Sequence, residues 1–179
     1  MLIKKDTSLD FKKIIEYIVQ IESKILSKNF TPLVPYPKDD LSIRWPLWNI
    51  FVNKEPAFHK VYVLIKNTWN EYKKINKLKY RPMWLQAWGN IHRKGEELGK
   101  HNHECAYWGW ISINAEGSST IMDNDTINNS NGQIVMCSGN IYHKSSAWTQ
   151  NEPRITIGFD LATEEDLKYK RTSKVIPFE

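Results

Sequence analysis

Five histidines occur in this chain of 179 residues, and two of them, His101 and His103, stand one residue apart. A third, His143, precedes Arg154 and the apolar run Ile155-Thr156-Ile157-Gly158-Phe159. Imidazole is a good ligand for iron, zinc, nickel or copper, and a guanidinium grips a carboxylate with a fork of donors. Together these residue types suggest a metal centre with an anchor for an acidic small molecule. Alternate side chains of an extended segment point the same way, so His101-Asn102-His103 can present two imidazoles to one ion, with His143 arriving from another strand. Three ligands on one face leave positions open for a co-substrate and oxygen. The plainer account makes His101 and His103 surface residues of the polar stretch 99–104.

The elements that must position these residues divide into a helical part and a β-rich part. Residues 8–28 read as an amphipathic helix capped by Thr7 or Ser8, with Phe11, Ile14, Ile15, Ile18, Ile21 and Ile25 at helical spacing. Pro32, Pro35, Pro37 and Pro46 then break regular structure, while Leu41, Trp45, Leu47, Trp48 and Phe51 supply anchors for an irregular packed strap. A second helix is predicted from about Pro56 to about Asn76, burying Val61, Leu64, Ile65, Trp69 and Tyr72. After Pro82 the period changes, and strands are predicted over 83–91, 107–114, 133–137 and 154–161, separated by Gly-, Ser- and Asn-rich turns. Many short strands favour a sandwich or barrel. Segment 124–131 reads as a mobile lid or, more simply, a polar hairpin loop. The expected organisation is one domain over 1–179, with a helical N-terminal part, 1–80, and a β core, 81–165.

Bulk properties exclude several classes. An apolar fraction of 41% with eight Trp argues against disorder. No stretch approaches the roughly 18 consecutive apolar residues of a membrane span, and the start lacks the apolar segment of a signal peptide. Cys105 and Cys137 form neither a CxxC motif nor a disulfide framework, so a cytoplasmic protein is expected, with no membrane partner. The net charge of +5 comes largely from Lys12, Lys13, Lys73, Lys74, Lys77, Lys168, Lys170, Arg171 and Lys174. These clusters read as solvated faces. Their lack of interleaved aromatic residues argues against a nucleic-acid partner.

Two stretches bear on family. Gln86-Ala87-Trp88-Gly89-Asn90-Ile91 is followed by Gly95 and then His101. Later, a turn at Gly132 leads through a strand to His143, and a polar connection leads on to Arg154. Over about residues 83–161 this ordered set resembles the C-terminal half of the iron(II)- and 2-oxoglutarate-dependent oxygenases. It is most similar to small bacterial and phage-type, prolyl-hydroxylase-like members with a Trp-x-Asn strand before the first His.

The resemblance implies a mainly β fold with N-terminal helices, the double-stranded β-helix or cupin-like jelly roll. It implies His101 and His143 as iron(II) ligands, Arg154 on the distal carboxylate of 2-oxoglutarate, and Thr156 as a second donor to that carboxylate. Asn90, Tyr107 and Trp88 are implied as pocket-lining residues, with core packing the simpler role for Trp88. Such an enzyme uses 2-oxoglutarate and O2 as co-substrates to hydroxylate its substrate, here an unidentified small molecule or peptide. His92, Arg93, Lys94, Lys100 and Trp148 stand near the expected mouth.

One departure matters. His103 occupies the slot usually filled by Asp or Glu, so the third ligand is His103, or Glu104 if the chain kinks there. Neutral imidazoles leave Fe(II) with more positive charge than a carboxylate would, and three His also suit zinc. Two other classes stay open: a cupin-like metal protein without 2-oxoglutarate turnover, and a non-catalytic jelly-roll binding or structural protein. Cys105, Tyr107 and Trp108 occupy the region where a cupin motif places a Glu, which weakens the first of these. Cys105 and Cys137 are read as metal ligands or as buried, unreactive thiols.

Overall fold

A computed structural model describes residues 1–31, 38–169 and 174–179. Pro32, Pro35 and Pro37 of the expected strap, and Lys170 and Arg171 of the basic tail, lie outside the described residues. In chain order the elements are β1 (Leu2–Lys5), α1 (Phe11–Leu26), single 3-10 turns at Trp45–Leu47 and Ile50–Val52, α2 (Ala57–Asn76), β2 (Trp84–His92) and β3 (Tyr107–Asn114). There follow β4 (Ser119–Met122), β5 (Thr126–Asn128), β6 (Gln133–Ser138), β7 (His143–Ser145), β8 (Arg154–Ala162), α3 (Glu164–Tyr169) and β9 (Ile176–Pro177).

Both long helices form where the apolar spacing predicts them, and their ends have local causes. Asp10, rather than Thr7 or Ser8, caps α1 by accepting from the Lys13 amide at 3.1 Å. Ser8 instead turns back, its amide donating to Asp6 at 2.8 Å. Helix α2 stops at Lys77, whose left-handed φ of 51° ends the run and lets its amide bond back to the last turn. Val61, Leu64, Ile65, Trp69 and Tyr72 all lie on its buried face. The described part of the strap is packed, with Leu41, Trp48 and Ile50 in the core. Asn49 ties it down, donating to the Leu85 carbonyl at 3.0 Å and the Lys174 carbonyl at 2.8 Å.

The strands make two antiparallel sheets, a six-stranded one in the order β1-β6-β3-β8-β2-β9 and a three-stranded one in the order β5-β4-β7. Among the described residues no strand pair closes these sheets into a barrel. The double-stranded β-helix expected from the resemblance goes further than this pairing. Four strands were predicted; the rest are too short, at two to four residues, to show a period of their own. Segment 124–131 is not a free lid: β5 pairs with β4, and Asn129 beyond it is buried.

Side-chain alternation gives the large sheet two different faces. One carries Leu85, Ala87, Ile91, Ile111, Ile155, Ile157, Phe159 and Leu161, and packs on Ile14 and Ile18 of α1 and Val61, Ile65 and Trp69 of α2. The other carries Trp88, Asn90, His92, Trp108, Trp110, Arg154, Thr156 and Asp160, brought level by the register of β2, β3 and β8. The small sheet covers part of this second face, its Met122 and Ile127 packing with Trp108, Trp110, Val135 and Cys137. Among the described residues no helix is long and apolar enough to cross a membrane.

The helix-side core leaves no space at the centre of β3. A Cβ on Gly109 would lie 2.0 Å from the Val135 carbonyl oxygen and 2.5 Å from the Phe159 ring. Gly109→Ala therefore lowers unfolding stability by about 3 kcal/mol, at the severe end for overpacking. Denaturant titration of the two proteins checks this, and a loss below about 1 kcal/mol would show that the strands yield easily.

Candidate metal centre

Backbone pairing brings the histidines together. His101 and His143 form an isolated antiparallel bridge, the amide of each donating to the carbonyl of the other at 2.9 and 2.8 Å. Residues directly opposite in such a pair project to the same side, so the two imidazoles meet, their ring centroids 4.2 Å apart. His103 lies two residues along and projects with them, its centroid 5.3 Å from each of the others. One donor nitrogen from each of the three lies within 4.8 Å of the other two. Strand β7 is fixed on both sides: it pairs with β4, placing His143 opposite Met122, while the Ser145 amide donates to the Leu98 carbonyl at 3.0 Å.

The ring orientations follow from what each Nδ1 contacts. His101 Nδ1 lies 2.9 Å from the Gly99 carbonyl, His143 Nδ1 3.3 Å from the Ile141 carbonyl, and His103 Nδ1 2.6 Å from Asp160 Oδ1. Carbonyl and carboxylate oxygens accept, so each Nδ1 carries a hydrogen, and on the neutral rings of His101 and His143 the Nε2 keeps its lone pair. This is the tautomer of a metal-ligating histidine oriented by an oxygen acceptor. Aromatic walls hold the rings: His103 and His143 stack on Trp108 at 4.8 and 4.3 Å, tilted 3° and 12° from its plane. Trp88 completes the wall, its centroid 6.0 Å from His103, and it lies across Gly158, where a Cβ would come within 2.9 Å of the indole.

Burial sets the charge state. Loss of water pushes His101 down to about 4, helped by His103 beside it. Burial pushes His143 to about 3, with His101 and His103 adding to the effect. Both imidazoles are therefore neutral at physiological pH, the form in which nitrogen binds a metal. A second group, His103, Cys105 and Asp160, also has ligand atoms within 4.8 Å of one another. Burial drives the Cys137 thiol up to about 12, leaving it protonated and inert.

Arg154 begins β8 at the other end of the same face. It is 3% exposed, and its Nε donates to Ser118 Oγ at 3.0 Å. Its Nη1 faces His92 Nδ1 at 3.4 Å, and no carboxylate among the described residues pairs with it. Burial lowers its pKa to about 10, so it stays cationic. Thr156 and Asn90 lie beside it: Thr156 Oγ1 accepts from Asn90 Nδ2 at 3.2 Å, while buried Asn90 Oδ1 has no hydrogen-bond partner among the described residues. Thr156 only accepts there, and its own O–H donates to no group among the described residues.

Other expected site residues fall elsewhere. Tyr107 has the opposite parity on β3 and packs between Trp69 and Tyr72 of α2, with its hydroxyl accepting from Arg81, so it lines no pocket near the histidines. Glu104 is exposed and Asp160 is the carboxylate that reaches His103. Of the expected mouth residues, His92 and Trp148 are each 1% exposed, Arg93 pairs with Glu22 and Lys100 with Asp123. Asp160 does not stand out in the sequence as a site residue because it sits inside an apolar strand. Its signal was parity, an acid two and three alternations from Thr156 and Arg154 on one face.

Comparison with known proteins finds no matching family model and no matching curated protein. Among solved structures the chain is similar to salicylate 1,2-dioxygenase from Pseudoaminobacter salicylatoxidans, at 11% identity and TM-score 0.38, over 48% of this chain and 22% of that one. It is also similar to the DMSP lyase DddQ from Ruegeria pomeroyi, at 17% identity and TM-score 0.39, over 46% of this chain and 40% of the lyase. A cupin superfamily protein from Desulfitobacterium hafniense matches at 11% identity and TM-score 0.37, over 44% of this chain and 68% of that one. The chain thus spans well under half the length of the dioxygenase and the lyase. These likenesses carry no argument about its chemistry, which rests on its own side chains.

A pH dependence follows from the buried imidazoles. Burial, then the neighbouring Arg154 charge, pushes His92 down to about 4 from its ordinary 6.5. The unfolded chain therefore binds protons that the folded chain refuses, and stability present above pH 6.5 is lost as pH falls toward 4. Each such histidine costs about 1.4 kcal/mol per pH unit in that window. Urea unfolding of the metal-free protein across this range should show the loss, and His92→Asn should flatten it by one histidine's share. An unchanged slope in that variant would mean that His92 is not held neutral.

Proposed function

We propose that this chain is a metal-dependent enzyme of cupin-like build, in which His101, His103 and His143 hold one divalent transition metal through their Nε2 atoms. The observation that supports this is that all three Nδ1 atoms face oxygen acceptors while one ring nitrogen from each histidine lies within 4.8 Å of the other two. The neutral rings of His101 and His143 carry no charge with which to attract one another. A shared cation supplies the missing attraction. We assign iron(II), because three nitrogen donors on one side leave positions open for oxygen and an organic ligand; zinc would fit the same donors.

A second reading adds 2-oxoglutarate and O2 as co-substrates for hydroxylation of a small-molecule or peptide C–H bond. Arg154 favours it. A buried guanidinium without a carboxylate partner is costly unless a ligand supplies the anion. Arg154 would hold the distal carboxylate through its free Nη donors, and the Thr156 hydroxyl would add a second hydrogen bond. The Trp88 and Trp108 walls would exclude water from the metal side. Metal, when bound, would supply the oxygen chemistry; the protein's residues bind, orient and shield.

Anaerobic titration with Fe(II), followed by 2-oxoglutarate, tests both readings. The expected result is one Fe(II) per chain, a weak visible absorption band on adding 2-oxoglutarate, and succinate once oxygen is admitted. His143→Ala should weaken metal binding by more than about 100-fold, above the range for losing a supporting hydrogen bond. Arg154→Ala should keep the metal and weaken 2-oxoglutarate binding by about 2 kcal/mol or more, some 30-fold. Metal binding without any response to 2-oxoglutarate would leave the metal centre and remove the co-substrate. A wild-type chain that binds no metal would remove both.

A further inference from the structure

The acid sought at positions 103 and 104 is supplied from another strand. Asp160, on β8 in the interior of the large sheet, places Oδ1 2.6 Å from His103 Nδ1, and the two side chains are only 6% and 10% exposed. The other two histidines face main-chain carbonyls, which are neutral. His103 alone is paired with an acid. We propose that Asp160 acts through His103 as the anionic member of the metal centre, standing one hydrogen bond behind the position where a carboxylate ligand would bind the ion. This rests on the three-histidine centre proposed above.

Charge counting gives the inference its content. Three neutral imidazoles around a dication leave a net charge of +2, whereas two imidazoles and one carboxylate leave +1. Counting the Asp160 carboxylate restores +1 without changing the ligand atoms. A short N–H···O⁻ bond in a site of low dielectric transfers electron density to the ring, so His103 Nε2 becomes a stronger donor than a carbonyl-bound imidazole. The same bond fixes the ring. Its plane is set within 3° of Trp108, and Trp88 stands 6.0 Å away where Gly158, two residues before Asp160, leaves room for the indole. Strand β8 thus carries both the acid and the gap that lets the wall form. Asp160 is a positioning residue: it touches His103, not the ion.

The competing arrangement is direct ligation by Asp160 with His103 and Cys105, whose ligand atoms also cluster within 4.8 Å. In this structure Cys105 Sγ instead donates to the Tyr107 carbonyl at 3.2 Å.

Co(II) is the probe, titrated in competition with a chromophoric chelator into the wild type, Asp160→Asn, Cys105→Ser and His143→Ala. We expect one Co(II) per chain in the wild type, and the same stoichiometry and visible band shape in Asp160→Asn with roughly 10–100-fold weaker affinity. Cys105→Ser should match the wild type. Equal affinity in Asp160→Asn would overturn the inference, as would a sulfur-to-cobalt charge-transfer band that disappears in Cys105→Ser. Because Asp160→Asn could fail to fold, a second measurement uses the zinc-loaded wild type. Nitrogen-edited proton NMR should find a far-downfield, slowly exchanging Nδ1 proton on His103, and its absence would count equally against the inference. Failure of the three-histidine centre itself looks different: His143→Ala would then bind cobalt as well as the wild type does.

Discussion

Two reciprocal hydrogen bonds between the backbones of His101 and His143 are what the site depends on. They join the loop after β2 to the short strand β7, and so bring side chains far apart in sequence to one point. The rest supports that junction. Strand β7 is held against β4 on one side and against Leu98 on the other, and β4 is held by β5. The small sheet packs on Trp108 and Trp110, and the large sheet that carries them is backed by α1 and α2. Loosening any layer moves the point where the three imidazoles converge, which explains why so polar a constellation is built inside a tryptophan-lined interior.

The chemistry of the second face of the large sheet follows from the partners of its polar groups. His101 and His143 are kept neutral by burial, with His103 adding to the effect on both, Asp160 brings a negative charge to His103, and Arg154 brings to the far end a positive charge that no carboxylate among the described residues pairs. Buried charge is costly unless compensated, and a folded chain tolerates it where binding a ligand completes the pairing. A cation among the histidines and an anion at Arg154 would complete both. The second face of the large sheet and the segments that cover it thus carry two complementary deficits, and that face places the neutral polar groups Asn90 and Thr156 beside Arg154.

Long elements were legible in the sequence, and short ones were not. Strands β2, β3, β6 and β8 announce themselves through β-branched and aromatic runs, and α1 and α2 through apolar spacing. Strand β7 is His143-Lys144-Ser145, three residues whose strand character comes wholly from pairing partners. The site was legible in its histidines because residue type limits what imidazoles do. It was less legible wherever a face had to be chosen. Tyr107 and Trp108 are neighbours of similar chemistry, but one faces helix α2 and the other the histidines, and only the register with β8 decides which. Asp160 was hidden for a related reason: nothing local distinguishes a buried acid from a strand-edge one until the partner strand is known.

X-ray absorption at the metal edge tests the central claim most directly, using the protein loaded with one equivalent of zinc. Three histidines sharing the ion through Nε2 predict nitrogen and oxygen scatterers only, at about 2.0–2.1 Å, with outer-shell scattering that requires three imidazole rings. A sulfur scatterer near 2.3 Å would contradict the account by placing Cys105 on the metal, and so would a spectrum fitted by fewer than three imidazoles.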